Sequence, residues 1–169
     1  MRSHLLMRSR FVLAALIVVA LSAAAAAIAG PPWIAIEYPV NPFDATTRDA
    51  FLVVREYHHS TQLALPITGR AEGLVDGTRR TIALRFDTTS RAGVVALRKQ
   101  WPSEGTWVLV ITAAQGPDDG VTALVQLARD GTVRHVSVPT HQQGQWKIPS
   151  RVTSNDVEAA LREASGRAN

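Results

Sequence analysis

Gly93-Val-Val-Ala-Leu-Arg-Lys-Gln-Trp-Pro-Ser-Glu-Gly-Thr-Trp-Val-Leu-Val-Ile-Thr-Ala113 is the densest apolar stretch of this 169-residue chain beyond its first thirty residues. Val94, Ala96 and Arg98 alternate with Val95, Leu97 and Lys99, which is the period of an extended strand. Pro102-Ser-Glu-Gly105 has turn composition. Beyond it, Trp107, Leu109 and Ile111 share one face of a second strand and Val108, Val110 and Thr112 the other. A strand apolar on both faces must be covered on both, which predicts a central position. The stretch is therefore expected to be the central hairpin of a sheet. Trp107, Leu109 and Ile111 fall in its core. Trp101, beside Pro102, is expected at a partly exposed turn edge, as a candidate partner contact.

The flanking sequence repeats this pattern. Asp76-Gly77 separates two extended runs, Ile67 to Val75 and Thr78 to Phe86. Such a pair suits a type I′ hairpin, which needs positive φ at both central residues. Ile82, Leu84 and Phe86 alternate with Ala83, Arg85 and Asp87, placing the first three in the core. Trp33 to Tyr38 and Ala50 to His58 supply two earlier strands, joined through Pro39, Pro42 and a polar stretch from Asp44 to Asp49. Val121 to Ala128 leads through Asp130-Gly131 into Thr132 to Val138, and Trp146 to Ile148 adds a short edge strand. Strands this evenly spaced, with no helix between them, predict an all-β fold. The expected form is an immunoglobulin-like antiparallel β-sandwich of 7–9 strands. At the end, Val157, Ala160, Leu161 and Ala164 have helical spacing. A short helix is expected there, capped by Asn155, braced by Glu158 and Arg162, and stopped by Gly166.

The amino end is of another kind. Arg2, Arg8 and Arg10 precede an uninterrupted apolar run, Phe11 to Ala29, that closes on Ala27-Ile28-Ala29. This is the pattern of a secretory signal. The run also suffices for one helical crossing of a bilayer. Two expectations follow: a cleaved signal peptide, or a single-span membrane anchor through residues 11–29. Either way the remainder is exported to the periplasmic or extracellular side. The chain thus divides into residues 1–29, a β domain over 30–150 and a helical tail over 151–169.

Charge and composition exclude several classes. Three of the 18 basic residues lie in the leader, leaving 15 against 14 acidic residues, so the exported part carries no excess that would suit nucleic acid. There is no cysteine. Disulfides, thiolate metal sites, thiol catalysis and a lipoprotein anchor are excluded. Both methionines lie in the leader, which removes a thioether copper(I) site.

Arg91-Ala-Gly-Val-Val-Ala-Leu97 followed by Glu104-Gly-Thr-Trp-Val-Leu-Val-Ile111 resembles the closing strands of exported immunoglobulin-like domains of the YtkA-like and FixH-like kind. Gly93, Gly105, Trp107, Leu109 and Ile111 fit that pattern, and Val95 stands where a tyrosine is usual. The resemblance covers about thirty residues and is one of fold. It implies an envelope-facing domain of a kind often found beside metal transport or respiratory-complex assembly.

Candidate site residues are few. His58 and His59, with Glu56 nearby and His135 or His141 to complete a set, could offer imidazoles to copper(II) or zinc. Neighbouring strand residues point to opposite faces, however, which separates His58 from His59. Asp118, Asp119 and Asp130 are oxygen ligands in type, but their Gly-Pro-Asp-Asp-Gly context is that of a turn. Arg79, Arg80, Arg85, Arg98, Lys99 and Arg134 form either a basic face or an ordinary solvated one. Gly-x-Ser-x-Gly, His-Glu-x-x-His, phosphate-loop and dinucleotide motifs are all missing. The expected function is a non-catalytic interaction or accessory module of the cell envelope with a protein partner and no cofactor. The alternative is a periplasmic copper- or zinc-handling domain.

Overall fold

The computed structural model describes residues 32–58, 61–114, 116 and 120–166. They belong to one compact unit, Pro31–Asn169. The expected signal or anchor over residues 1–29 lies outside the described residues. Among those described, no helix is long and apolar enough to cross a membrane.

The described chain is mostly β, in antiparallel sheets, with one short carboxy-terminal helix. Its strands are β1 (Trp33–Glu37), β2 (Leu52–His58), β3 (Thr61–Gln62), β4 (Ile67–Val75), β5 (Thr78–Ala83), β6 (Phe86–Thr88) and β7 (Val94–Leu97). There follow β8 (Thr106–Ala114), β9 (Gly120–Leu127), β10 (Val133–Ser137), β11 (Thr140–Gln143), β12 (Trp146–Pro149) and the helix α1 (Ser154–Ala164). One sheet has the order β1-β2-β7-β6, with β3 added beside β2. The second has the order β10-β9-β8-β4-β5. β11 and β12 form a separate two-stranded sheet. The two large sheets bury one core, to which the first gives Ile34, Leu52, Val54 and Leu97 and the second Ala71, Trp107, Leu109, Ile111, Val121 and Val125.

The stretch from Gly93 to Ala113 is not a hairpin. β7 pairs with β2 and β6 in the first sheet, whereas β8 pairs with β4 and β9 in the second. The residues between them carry the chain across the core from one sheet to the other. Trp101 is why this connection cannot behave as a surface turn. Its side chain is 4% exposed and meets Phe51 edge-on, with ring centroids 5.0 Å apart. The expectation of a partly exposed Trp101 is overturned, and with it the basis for a partner contact there. Trp107 pins the other end of the crossing, since its indole N–H donates to the Glu104 carbonyl at 2.8 Å. Its ring lies across Gly73 of the paired strand, where a Cβ would sit 2.4 Å from it.

The central position expected for β8 is observed, and its cause is visible on both faces. Trp107, Leu109 and Ile111 enter the shared core. Val108 and Val110 face outward and are covered by Val157, Ala160, Leu161 and Ala164 of α1. The helix therefore supplies the second apolar cover that the sequence demands.

Two further expectations are corrected. The run from Thr78 to Phe86 changes sheets at Leu84-Arg85 and does not continue as one strand. Leu84 N–H donates to the Gly69 carbonyl, while Arg85 N–H and carbonyl are both held by the Gln100 amide. Leu84 is buried, and Ile82 and Phe86 pack half-buried against the same core from opposite sheets. The Asp76-Gly77 turn is as expected, with φ of 50° and 78°. The helix is capped by Thr153, not Asn155. Thr153 exchanges hydrogen bonds with Asp156, which gives a complete capping box.

Glu158 does not have to rely on Arg162, because Arg79 of β5 reaches it. Arg79 also contacts Glu72, which receives Arg70 Nε at 2.6 Å and Thr81 Oγ1 at 2.8 Å. This network ties β4 and β5 to the helix. Burial by itself would raise the Glu72 pKa, but the bonds from Thr81, Arg70 and Arg79 outweigh it and hold the carboxyl below its ordinary 4.5. A depressed folded-state pKa stabilises the fold above 4.5, and that stability is lost as pH falls through the lower value. Glu72→Gln is expected to cost about 1–2 kcal/mol at pH 7, the half-exposed arginines being screened by water. Urea denaturation should show the difference from wild type shrinking below pH 4.

Candidate functional site

The described histidines do not converge. His58 ends β2 opposite Thr61 and is half-buried. His135 is exposed on β10 opposite Gln126, and His141 is exposed on β11 opposite Ile148. They are thus distributed over three different sheets. His59, Ser60, Asp118 and Asp119 lie outside the described residues. Among the described residues no group of three or more histidines, aspartates and glutamates comes together to hold an ion.

Glu56 shares a strand face with Leu52 and Val54, and so is directed into the core at 1% exposure. Its carbonyl accepts the Leu63 N–H at 3.0 Å and its carboxylate accepts the Leu65 N–H. The residue clamps the chain as it leaves β3. Burial raises its pKa above 4.5, against the lowering effect of the Leu65 bond. The sign is opposite to that of Glu72. A raised folded-state pKa gives stability below 4.5 that is lost as pH rises through the folded value. Glu56→Gln keeps an acceptor for Leu65 and removes the buried charge. The variant is expected to be more stable than wild type at pH 7, and the gap should close below pH 4.5 when both are titrated in thermal melts.

Four of the six basic residues, Arg79, Arg98, Lys99 and Arg134, are already engaged. Arg79 is engaged by Glu72 and Glu158, Arg98 by Asp87 at 3.0 Å, and Arg134 by the Glu163 carbonyl. Lys99 donates to Ser103. A groove of about 300 Å³ beside α1 is lined by Leu124, Gln126, Val138, Asp156 and Glu163 among others. Three of its polar side chains, Gln126, Glu163 and Asp156, are already in use. Gln126 donates to Glu163 at 2.8 Å, and Asp156 closes the helix cap.

What the sequence did not single out is the connection between β1 and β2. Tyr38-Pro-Val-Asn-Pro-Phe43 presents Phe43 at 94% exposure, with Tyr38, Pro39 and Pro42 also exposed. Local bonds fix this loop in place. Glu37 accepts the Asn41 N–H at 3.3 Å, and the Asn41 side chain accepts the Phe43 N–H at 3.0 Å. The Asp44 carboxylate accepts Thr46 N–H and Oγ1 and pairs with Arg91 at 2.6 Å. Those Thr46 bonds, more than Arg91, hold the Asp44 carboxyl below its usual range. Arg55 pairs with Glu37, and Tyr38 packs at a 44° tilt on Phe51, with centroids 5.5 Å apart, while Phe51 itself meets Trp101 edge-on. The loop is therefore an ordered platform with an apolar tip. Its signal in the sequence was an aromatic pair, Tyr38 and Phe43, enclosing two prolines.

Comparison with protein-family models, with curated proteins and with solved structures gave no match.

Proposed function

We propose that the chain is an exported, non-catalytic immunoglobulin-like β-sandwich that acts as an interaction or accessory module of the cell envelope. Strand order supports the fold half of this reading. β1-β2-β7-β6 and β9-β8-β4-β5 follow the A-B-E-D order and the G-F-C order extended by one strand that characterise immunoglobulin domains, with β10 added at the edge. The leader pattern supports export.

The observation that carries the functional half is Phe43. A large apolar side chain held almost wholly in water on a loop braced by Asn41, Asp44 and Arg91 is a contact residue prepared for a partner. Preorganisation lowers the entropy lost on binding, and aromatic anchors dominate interface energies. The test is a crosslinker placed at residue 43 in intact cells. One discrete partner adduct, abolished by Pro42→Ser/Tyr38→Ser, supports the reading, and the absence of any adduct would sink it. A separate copper(II) or zinc titration of wild type and His58→Ala/His59→Ala is expected to show no stoichiometric micromolar binding. Binding lost in the variant would favour the metal-handling alternative.

A further inference from the structure

We propose that one face of the β11–β12 hairpin, carrying Trp146, Gln143 and His141, is a binding platform for the pyranose rings of an uncharged glycan. The contact assigned to Phe43 lies on another loop, and neither reading needs the other.

Gln143 pairs with Trp146 across a two-residue turn, Gly144-Gln145. Gly144 has a φ of 60°, the left-handed value that tight hairpin turns give to glycine. Opposite residues of an antiparallel pair share a face, as do residues two apart on one strand. Trp146 and Gln143 therefore share a face with the next pair of that face, His141 and Ile148. Lys147 falls on the other face with Gln142, whose amide is spent on the Gly144 carbonyl at 2.8 Å. The root of the hairpin is fixed. Pro149 is buried, Ser150 N–H donates to the Pro139 carbonyl, and the Ser150 carbonyl accepts the Thr122 N–H of β9. From that root the arms stand in water, every residue from 140 to 147 being exposed.

Trp146 is 75% exposed and belongs to neither hydrophobic cluster of the described residues. Its ring thus adds nothing to the core and leaves a large apolar surface open. The neighbours decide what would cover it. Among the described residues, neither the Gln143 amide nor the His141 imidazole has a hydrogen-bond partner. No carboxylate, ammonium or guanidinium group shares the face. A cation held over the indole would call for an acid beside it. Nucleic acid would call for several basic groups. An apolar peptide would call for apolar residues around the ring. A pyranose needs none of these. The C–H bonds on its flat side lie against the indole, and its rim hydroxyls both donate and accept, as the Gln143 amide does.

The test uses the full chain in micelles of a phosphocholine detergent, which carries no sugar, titrated with cellohexaose and with chitohexaose. Trp101 and Trp107 are buried, so a Trp33→Phe background leaves Trp146 as the exposed indole whose emission reports. A saturable blue shift at millimolar sugar is expected, as water leaves the ring. In the same background, Trp146→Ala should abolish the shift without changing the melting temperature. Trp146→Tyr should recover binding, followed by calorimetry. Gln143→Ala should weaken binding about threefold to tenfold, the loss of one hydrogen-bonding group. No shift with either sugar overturns the proposal, as does calorimetric binding that survives Trp146→Ala. A shift with a decaproline peptide and none with the sugars also overturns it, and gives the face to a protein partner.

Discussion

Gly93→Ala is expected to remove about 4 kcal/mol of stability, a large share of what a domain of this size has. A Cβ on Gly93 would lie 1.7 Å from the Leu63 carbonyl oxygen, a distance that only backbone movement can relieve. The residue also has a φ of 67°, where an L side chain is strained by about 1–2 kcal/mol. Moving Leu63 is costly because its N–H is bonded to the Glu56 carbonyl and Leu65 is bonded to the Glu56 carboxylate. One added methyl group therefore loosens the clamp around a buried acid and the start of β7 together. Gly131→Ala is the control. Its φ is 83°, yet a Cβ there meets nothing within 4 Å. It should cost only the backbone strain, and denaturant midpoints for the two variants should differ clearly. Equal midpoints would show that the packing of residue 63 against residue 93 contributes nothing.

Gly93 also shows how far the sequence could be followed. Its place before an alternating run marked the start of a strand, and alternation located most strands to within two residues. Alternation is a local property, set by the pleat, so it survives without knowledge of partners. Pairing is not local. Val94 to Leu97 and Thr106 to Ala114 look like the arms of a hairpin because eight residues of turn composition separate them. What makes them neighbours across the core is that Trp101 is buried under Phe51, a contact between residues fifty positions apart. Likewise, Ile82 and Phe86 obey one alternation yet belong to different sheets, because Gln100 captures Arg85 between them. The apolar outer face of β8 and the helix's own stripe were both legible, but that the one covers the other is visible only in the structure.

The site was less legible than the fold. Titratable residues drew attention to His58, His59 and the aspartates, since their chemistry can be named from type alone. Phe43 has no such label. An apolar residue in a sequence is assumed to be interior until a structure shows where it points. Only the bonds made by Asn41 and Asp44 distinguish a loop that holds its phenylalanine outward from one that folds it in.

Trp101→Ala is expected to cost about 3–5 kcal/mol, the range for a large aromatic removed from a core. An exposed turn residue would cost within about 0.5 kcal/mol, so the measurement separates the buried crossing from the surface turn that composition alone suggests. The effect should also travel. Phe51 would lose its edge-on partner at 5.0 Å, and Tyr38 packs at a tilt against Phe51 at 5.5 Å. Loosening that column frees the amino-terminal side of the Phe43 loop, so Trp101→Ala should weaken crosslinking from residue 43 even where the variant remains folded. Trp101→Phe keeps an edge for Phe51 and should restore part of both losses. Phe43→Ser should do the reverse, leaving the denaturation midpoint within about 0.5 kcal/mol of wild type while abolishing the partner contact. If Phe43→Ser destabilises the fold as much as Trp101→Ala does, the loop tip is part of the core and the interaction reading fails. If the two variants separate as expected, the aromatic column supports the loop and its exposed end makes the contact.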